Sequence, residues 1–190
     1  MVRATLTRHP TTPFDGLQRI DARVHLAHDG TLSFTYAAAG DVTRVRLPAP
    51  AEARRAERLW EHTCFEAFVR VRGAAYYELN WSPSGEWAVY RFDDYRAGMT
   101  EAEVERPPSI ELRPRAFGFE LNVTLSLSEM PELIGCSKLE MALAAVIEDT
   151  EGRRSYWALA HPSERPDFHH AGGFVLELAQ NLLARAGLRR

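Results

Sequence analysis

The segment Phe117–Leu125 reads F-G-F-E-L-N-V-T-L, with Phe117, Phe119, Leu121, Val123 and Leu125 alternating against small or polar residues. An extended chain turns successive side chains to opposite faces, so this alternation predicts a strand with one apolar face. Working outward, Thr31 to Ala37 repeats the pattern with Leu32, Phe34 and Tyr36. Similar short strands fit Ala22 to Ala27, Val42 to Leu47, Cys64 to Val71, Ala75 to Ser82 and Glu86 to Phe92. Others fit Ile110 to Arg115, Leu139 to Ile147 and Ser155 to Ala160. The joints His28-Asp29-Gly30, Ser82-Pro83-Ser84-Gly85 and Asp149-Thr150-Glu151-Gly152 carry turn chemistry.

Many short strands with few amphipathic helical windows imply a mainly all-β chain, an antiparallel β-sandwich of jelly-roll or immunoglobulin-like kind. Short helices are expected at Ala51 to Leu59 and near the C-terminus. There, Val175 to Leu188 reads as a closing strand followed by a helix, with Gly187 near its stop. Glu101 to Ser109, with Pro107-Pro108, reads as an irregular connection. At 190 residues without internal repeats, residues 1–190 read as a single domain.

A formal net charge of -3 argues against a nucleic-acid groove or a polybasic membrane patch. The chain has no uncharged apolar run of about 18 residues, so no membrane partner is expected. Cys64 and Cys136 lack C-x-x-C spacing and a disulfide framework, and the first ten residues lack the apolar core of a signal peptide. Reduced thiols in a cytoplasmic protein are the expectation.

Trp60 to Tyr95 concentrates the residues that carry chemistry. It holds Trp60, Trp81 and Trp87, four tyrosines, and Glu61, Glu66 and Glu78. On one strand Cys64, Glu66 and Phe68 share a face, and on the next Tyr76, Glu78 and Asn80 do. Side by side, those strands would present Glu66, Glu78 and Asn80 to a polyhydroxylated ligand through charge-assisted hydrogen bonds. Glu61 belongs to the turn before them. Trp60, Trp81 and Trp87 offer broad apolar faces for stacking, although core packing is the bland reading of any one of them. Trp81 and Trp87 flank the Ser82–Gly85 turn and are expected to supply the stacking faces, with Tyr90, Tyr95 and Arg96 at the rim.

His161, Asp167 and His169 lie in a loop stiffened by Pro162 and Pro166. They could gather one metal ion or phosphate group, Asp167 orienting a histidine. The alternative is a structured surface loop whose Phe168 plugs the sandwich end. Haem would need axial donors, for which Met99, His161 and His169 are candidates, but no C-x-x-C-H signal is present. A hydrolase is a lesser alternative, using Glu66 with Glu78, given a separation of about 5–9.5 Å, or the His161–His170 loop. Nucleophile-elbow, P-loop, zincin and dinucleotide motifs are absent.

The blocks W-E-H-T-C-F-E-A-F-V at Trp60 to Val69 and Y-Y-E-L-N-W-S-P-S-G-E-W at Tyr76 to Trp87 resemble the DOMON-like superfamily. Within it the similarity is to a bacterial subgroup akin to family 9 carbohydrate-binding modules. Y-R-F-D-D-Y-R-A-G-M at Tyr90 to Met99 and A-L-A-H-P-S-E-R-P-D-F-H-H at Ala158 to His170 add to it. The resemblance implies a two-sheet sandwich with a ligand site on one sheet, in a group whose relatives bind sugars or haem. The resulting expectation is non-catalytic binding of a small polar, sugar-like ligand. No cofactor is required, with haem or a metal ion as alternatives, and a protein partner is left open.

Overall fold

The computed structural model describes residues 1–70 and 73–179. It is mainly antiparallel β-structure. The strands are β1 (Val2–Arg8), β2 (Leu17–Leu26), β3 (Thr31–Gly40), β4 (Cys64–Arg70), β5 (Tyr76–Trp81) and β6 (Trp87–Phe92). They continue with β7 (Thr100–Glu101), β8 (Ser109–Arg115), β9 (Gly118–Ser126), β10 (Lys138–Glu148), β11 (Arg154–Ala158) and β12 (Leu176–Ala179).

The back sheet runs β1-β2-β3-β9-β8, and the front sheet runs β7-β6-β5-β4-β10-β11. Strand β12 also pairs with the first half of β10. Strand β1 joins the layers, because Val2 to Leu6 pair with β2 while Thr7 and Arg8 pair with β11. Across β3 and β9 the register sets Leu32 opposite Leu125, Phe34 opposite Val123 and Tyr36 opposite Leu121. The apolar faces of both strands therefore point one way, into a core shared with Phe65, Ala67, Leu79, Val89, Leu143 and Ile147 of the front sheet. The Tyr36 hydroxyl crosses that core and donates to the Glu66 backbone carbonyl at 2.7 Å.

Strands β4 and β5 are buried on both faces, unlike β2 and β3, whose buried residues alternate with more exposed ones. Their second face forms a separate cluster with Cys64, Phe68, Tyr76, Ala88, Tyr90, Phe92 and Ala144. Chain segments around residues 56–60 and 168–174 fold over it. A covered outer face is uncommon for a sheet whose inner face already packs a core, and here it creates room for a site.

Several local expectations are corrected. Val42 to Leu47 is a 3-10 turn (Val42–Arg44) followed by one isolated bridge, because the Asp41 side chain caps the Thr43 N–H and bends the chain. Ala51 to Arg58 is irregular rather than helical, and Leu59 opens a single 3-10 turn, Leu59–Glu61. The backbone of the irregular stretch instead hydrogen-bonds with Ser84 and Trp87 at the edge of the front sheet. Phe117 is 85% exposed, since it sits in the tight turn between β8 and β9. The closing strand near the C-terminus is β12, and the helix expected after it lies outside the described residues. Among the described residues no helix is long and apolar enough to cross a membrane.

Gly118 shows how closely β3 and β9 meet. Its φ is +145°, and a Cβ there would stand 1.9 Å from the Ala38 carbonyl oxygen. Gly118→Ala is therefore expected to destabilise the fold by about 1–3 kcal/mol. A urea midpoint unchanged from wild type would contradict this packing.

Candidate functional site

The site is built on the outer face of the front sheet. Strands β4 and β5 are adjacent, with Glu66 opposite Asn80 and Phe68 opposite Glu78. Glu66 and Glu78 are thus diagonal neighbours on one face, close enough for long side chains to meet. Val146 of β10, Arg154 and Tyr156 of β11 and Phe92 of β6 extend the floor. Trp60 overhangs from the 3-10 turn Leu59–Glu61. Arg96 and Met99 approach from the β6–β7 loop, and Pro166, Phe168 and His169 from the loop after β11. Together they enclose a cavity of about 440 Å³, within the range of small-molecule sites.

Its floor is electrostatically unusual. Glu66 is 2% exposed, and its Oε1 has no hydrogen-bond partner among the described residues. Burial, and then repulsion from Glu78, hold its carboxyl well above the ordinary carboxylate range, with Arg96 opposing. Glu78 Oε1 accepts from the Asn80 amide at 2.8 Å. Burial nevertheless raises Glu78 to about 7 against that hydrogen bond and the Arg96 charge. His169 Nε2 stands 3.7 Å from Glu78 Oε2. Burial, and then the Arg96 charge, push His169 down to about 4, with Asp167 opposing. The His169–Glu78 contact is therefore one between mostly neutral groups near pH 6, not an ion pair.

The loops that roof the cavity are tied together. Arg96 pairs with Asp167 Oδ1 at 2.9 Å, and the Tyr95 hydroxyl donates to Asp167 Oδ2 at 2.7 Å. Burial works against charge on Asp167, but the bonds from Tyr95 and Arg96 more than offset it and hold Asp167 below its ordinary range. The Tyr76 hydroxyl lies 2.7 Å from His169 Nδ1 and accepts from the Arg96 backbone N–H at 3.3 Å. Among the described residues, Arg58 and Arg96 are the non-glycine residues at positive φ, 59° and 51°. One precedes the turn bearing Trp60 and the other lines the cavity. Such backbone strain concentrates at functional sites.

The structure brings Trp60, Glu66, Glu78, Arg96 and His169 to one cavity and redistributes the other expected residues. Trp81 and Trp87 are corrected: they are 0% and 4% exposed and belong to the core between the sheets. Trp81 follows Asn80 by one residue and so points away from the site. Its ring packs at 4.7 Å from Phe34, while Trp87 lies beneath the Arg55 guanidinium. Glu61 is not at the site either, being ion-paired with Arg58 at the surface. Asn80 supports Glu78 from a fully buried position. Tyr90 is buried and braces Trp60 edge-on at 6.0 Å instead of forming a rim. Tyr95 is 52% exposed and lines a neighbouring hollow, while Asp167 anchors the roof.

His161 is drawn elsewhere, with Nε2 2.8 Å from the Thr7 carbonyl and its ring against His9. His161, Asp167 and His169 therefore do not converge. Among the described residues no three of His, Cys, Asp and Glu gather to hold a metal ion. Of the candidate haem donors, Met99 and His169 line the cavity and His161 does not. Sequence reasoning missed Phe92, Val146, Arg154 and Tyr156 as lining. Phe168, expected to plug the sandwich end, forms part of the roof instead.

No protein-family model matches the chain, and no curated protein matches it. Among solved structures, an inferred carbohydrate-binding protein from Bacteroides uniformis ATCC 8492 superposes with a TM-score of 0.71 at 17% identity. The alignment covers 94% of this chain and 86% of that one. Two structures of a family 9 carbohydrate-binding module from Caldicellulosiruptor kristjanssonii align less well, both at 12% identity. The glucose complex gives a TM-score of 0.48 over 85% of this chain and 75% of that one. The cellotriose complex gives 0.49 over 90% and 83%. The chain is an antiparallel two-sheet β-sandwich with a lined cavity on the outer face of one sheet. It shares its fold with the Bacteroides protein.

Proposed function

We propose that this is a non-catalytic binding protein for a small polar ligand, a carbohydrate or sugar derivative. The observation that carries the reading is a 440 Å³ cavity lined by the two buried carboxyls Glu66 and Glu78, the first of which keeps one oxygen, Oε1, without a partner among the described residues. A buried polar atom without a partner costs about 1–3 kcal/mol, which a ligand hydroxyl seated at this carboxyl would help to recover. Glu66 and Glu78, both inclined to hold a proton, can donate as well as accept, which matches hydroxyl groups. Trp60, Phe92, Tyr156 and Phe168 offer apolar faces to the C–H face of a sugar ring. The carbohydrate binding inferred for the Bacteroides protein of the same fold accords with this reading.

Hydrolysis is the lesser reading: it needs one carboxyl ionised as nucleophile or base, and burial works against charge on both Glu66 and Glu78. The test is a titration with a panel of neutral and amino sugars, followed by chemical-shift mapping. Resonances of Trp60, Phe168 and His169 are expected to move, while those of Trp81 stay still. Trp60→Ala is expected to stay folded and to weaken binding about tenfold or more. If no sugar shifts any of these resonances, the reading is wrong.

A further inference from the structure

Building on the sugar-binding reading, we propose that the cavity prefers sugars bearing an ammonium group, seated with the cation between Glu66 and Glu78. Two carboxyls from neighbouring strands face one hollow, and one of them, almost fully buried, keeps an unpaired oxygen. A neutral hydroxyl can meet that oxygen but leaves the pair needing its proton to avoid two adjacent buried charges. An ammonium group meets the oxygen and stands in for that proton, allowing the pair to ionise.

Arg96 is ion-paired with Asp167 at 2.9 Å, and the charge it still exerts on Glu66 and Glu78 is outweighed by their burial. His169 is held neutral by burial, so it does not compete for the carboxyls as a cation. Arg154 reaches the cavity from an exposed position on β11. The aromatic lining adds to the case, since ring faces attract an ammonium group where water is excluded. No bond is made or broken in this event. The pair loses the proton it retains near neutral pH as the ligand's cation takes its place.

The test is isothermal titration of the full chain at pH 7 with glucosamine, glucose and N-acetylglucosamine, repeated in buffers of different ionisation enthalpy. Glucosamine is expected to bind about tenfold more tightly than either neutral sugar, with release of up to about one proton per ligand. Glu66→Gln should bring the ratio of glucosamine to glucose affinity down to about one, whatever it does to glucose affinity itself. If that variant fails to fold, Glu78→Gln provides the same comparison. Neutral sugars binding as tightly as glucosamine would overturn this inference and leave the sugar-binding reading standing. Absence of binding by all three would overturn both.

Discussion

Replacing Trp81 with alanine is expected to destabilise the protein by about 3–5 kcal/mol, the range for deleting a large buried aromatic side chain. Trp81 is fully buried and wedges between the sheets, 4.7 Å from Phe34 and 6.3 Å from Tyr36. Alanine would leave a hollow that β3 and β5 cannot close, because both are pinned by ladders on either side. The same substitution should leave ligand affinity nearly unchanged under conditions where the variant stays folded. Trp60→Ala should show the reverse pattern, with near-normal stability and binding weakened about tenfold or more. Urea denaturation and one sugar titration on each variant separate the two roles. A stable Trp81→Ala variant with no affinity would place the stacking surface on the wrong tryptophan.

That contrast shows what was legible in the sequence. Alternation in Phe119, Leu121, Val123 and Leu125 revealed the strand and its buried face, because period two is a property of extended backbone itself. The same rule placed Glu66 and Glu78 on matching faces and, followed one residue further, excludes Trp81 from the face of Glu78 and Asn80. Proximity to a hairpin turn was a weaker guide than parity. Strand β1 escaped notice because its alternation uses Val2, Ala4 and Leu6, two of them small or modestly apolar. Val146, Arg154 and Tyr156 were out of reach for a different reason. They join the site because β10 pairs with both β4 and β11, a register about 80 residues distant from Glu66 that no local pattern encodes. His161 and His169 looked alike in sequence. Only the fold sends one to the Thr7 carbonyl and the other to Tyr76.

Glu78→Gln is expected to stabilise the protein at pH 8 by up to roughly 3 kcal/mol, while changing little below pH 4.5. The sign follows from proton counts. Folding raises the Glu78 carboxyl from 4.5 to about 7, so between those values the native state holds a proton that the unfolded chain has released. Stability contributed by that group is full below 4.5 and falls as pH rises toward 7. His169 works in the opposite direction, since folding lowers it from 6.5 to about 4 and its contribution is lost as pH falls through that window. In the wild type the two slopes oppose each other between about 4.5 and 6.5 and mask one another. Only the decline due to the carboxyls continues above that window. Subtracting the wild-type profile from the Glu78→Gln profile removes the His169 slope and exposes the carboxylate contribution, a difference that grows with pH and levels off above 7. Glutamine keeps the oxygen that accepts from Asn80, so the substitution removes charge and leaves shape nearly intact. It also relieves Glu66, whose proton affinity is raised in part by its neighbour's charge. The measured gain therefore belongs to the pair, as coupled titrations require. Guanidinium denaturation of both proteins at pH 5, 6, 7 and 8 supplies the test. A difference that stays flat across that range would mean that the cavity floor is wetter than its burial implies, and that Glu66 and Glu78 titrate as ordinary surface acids.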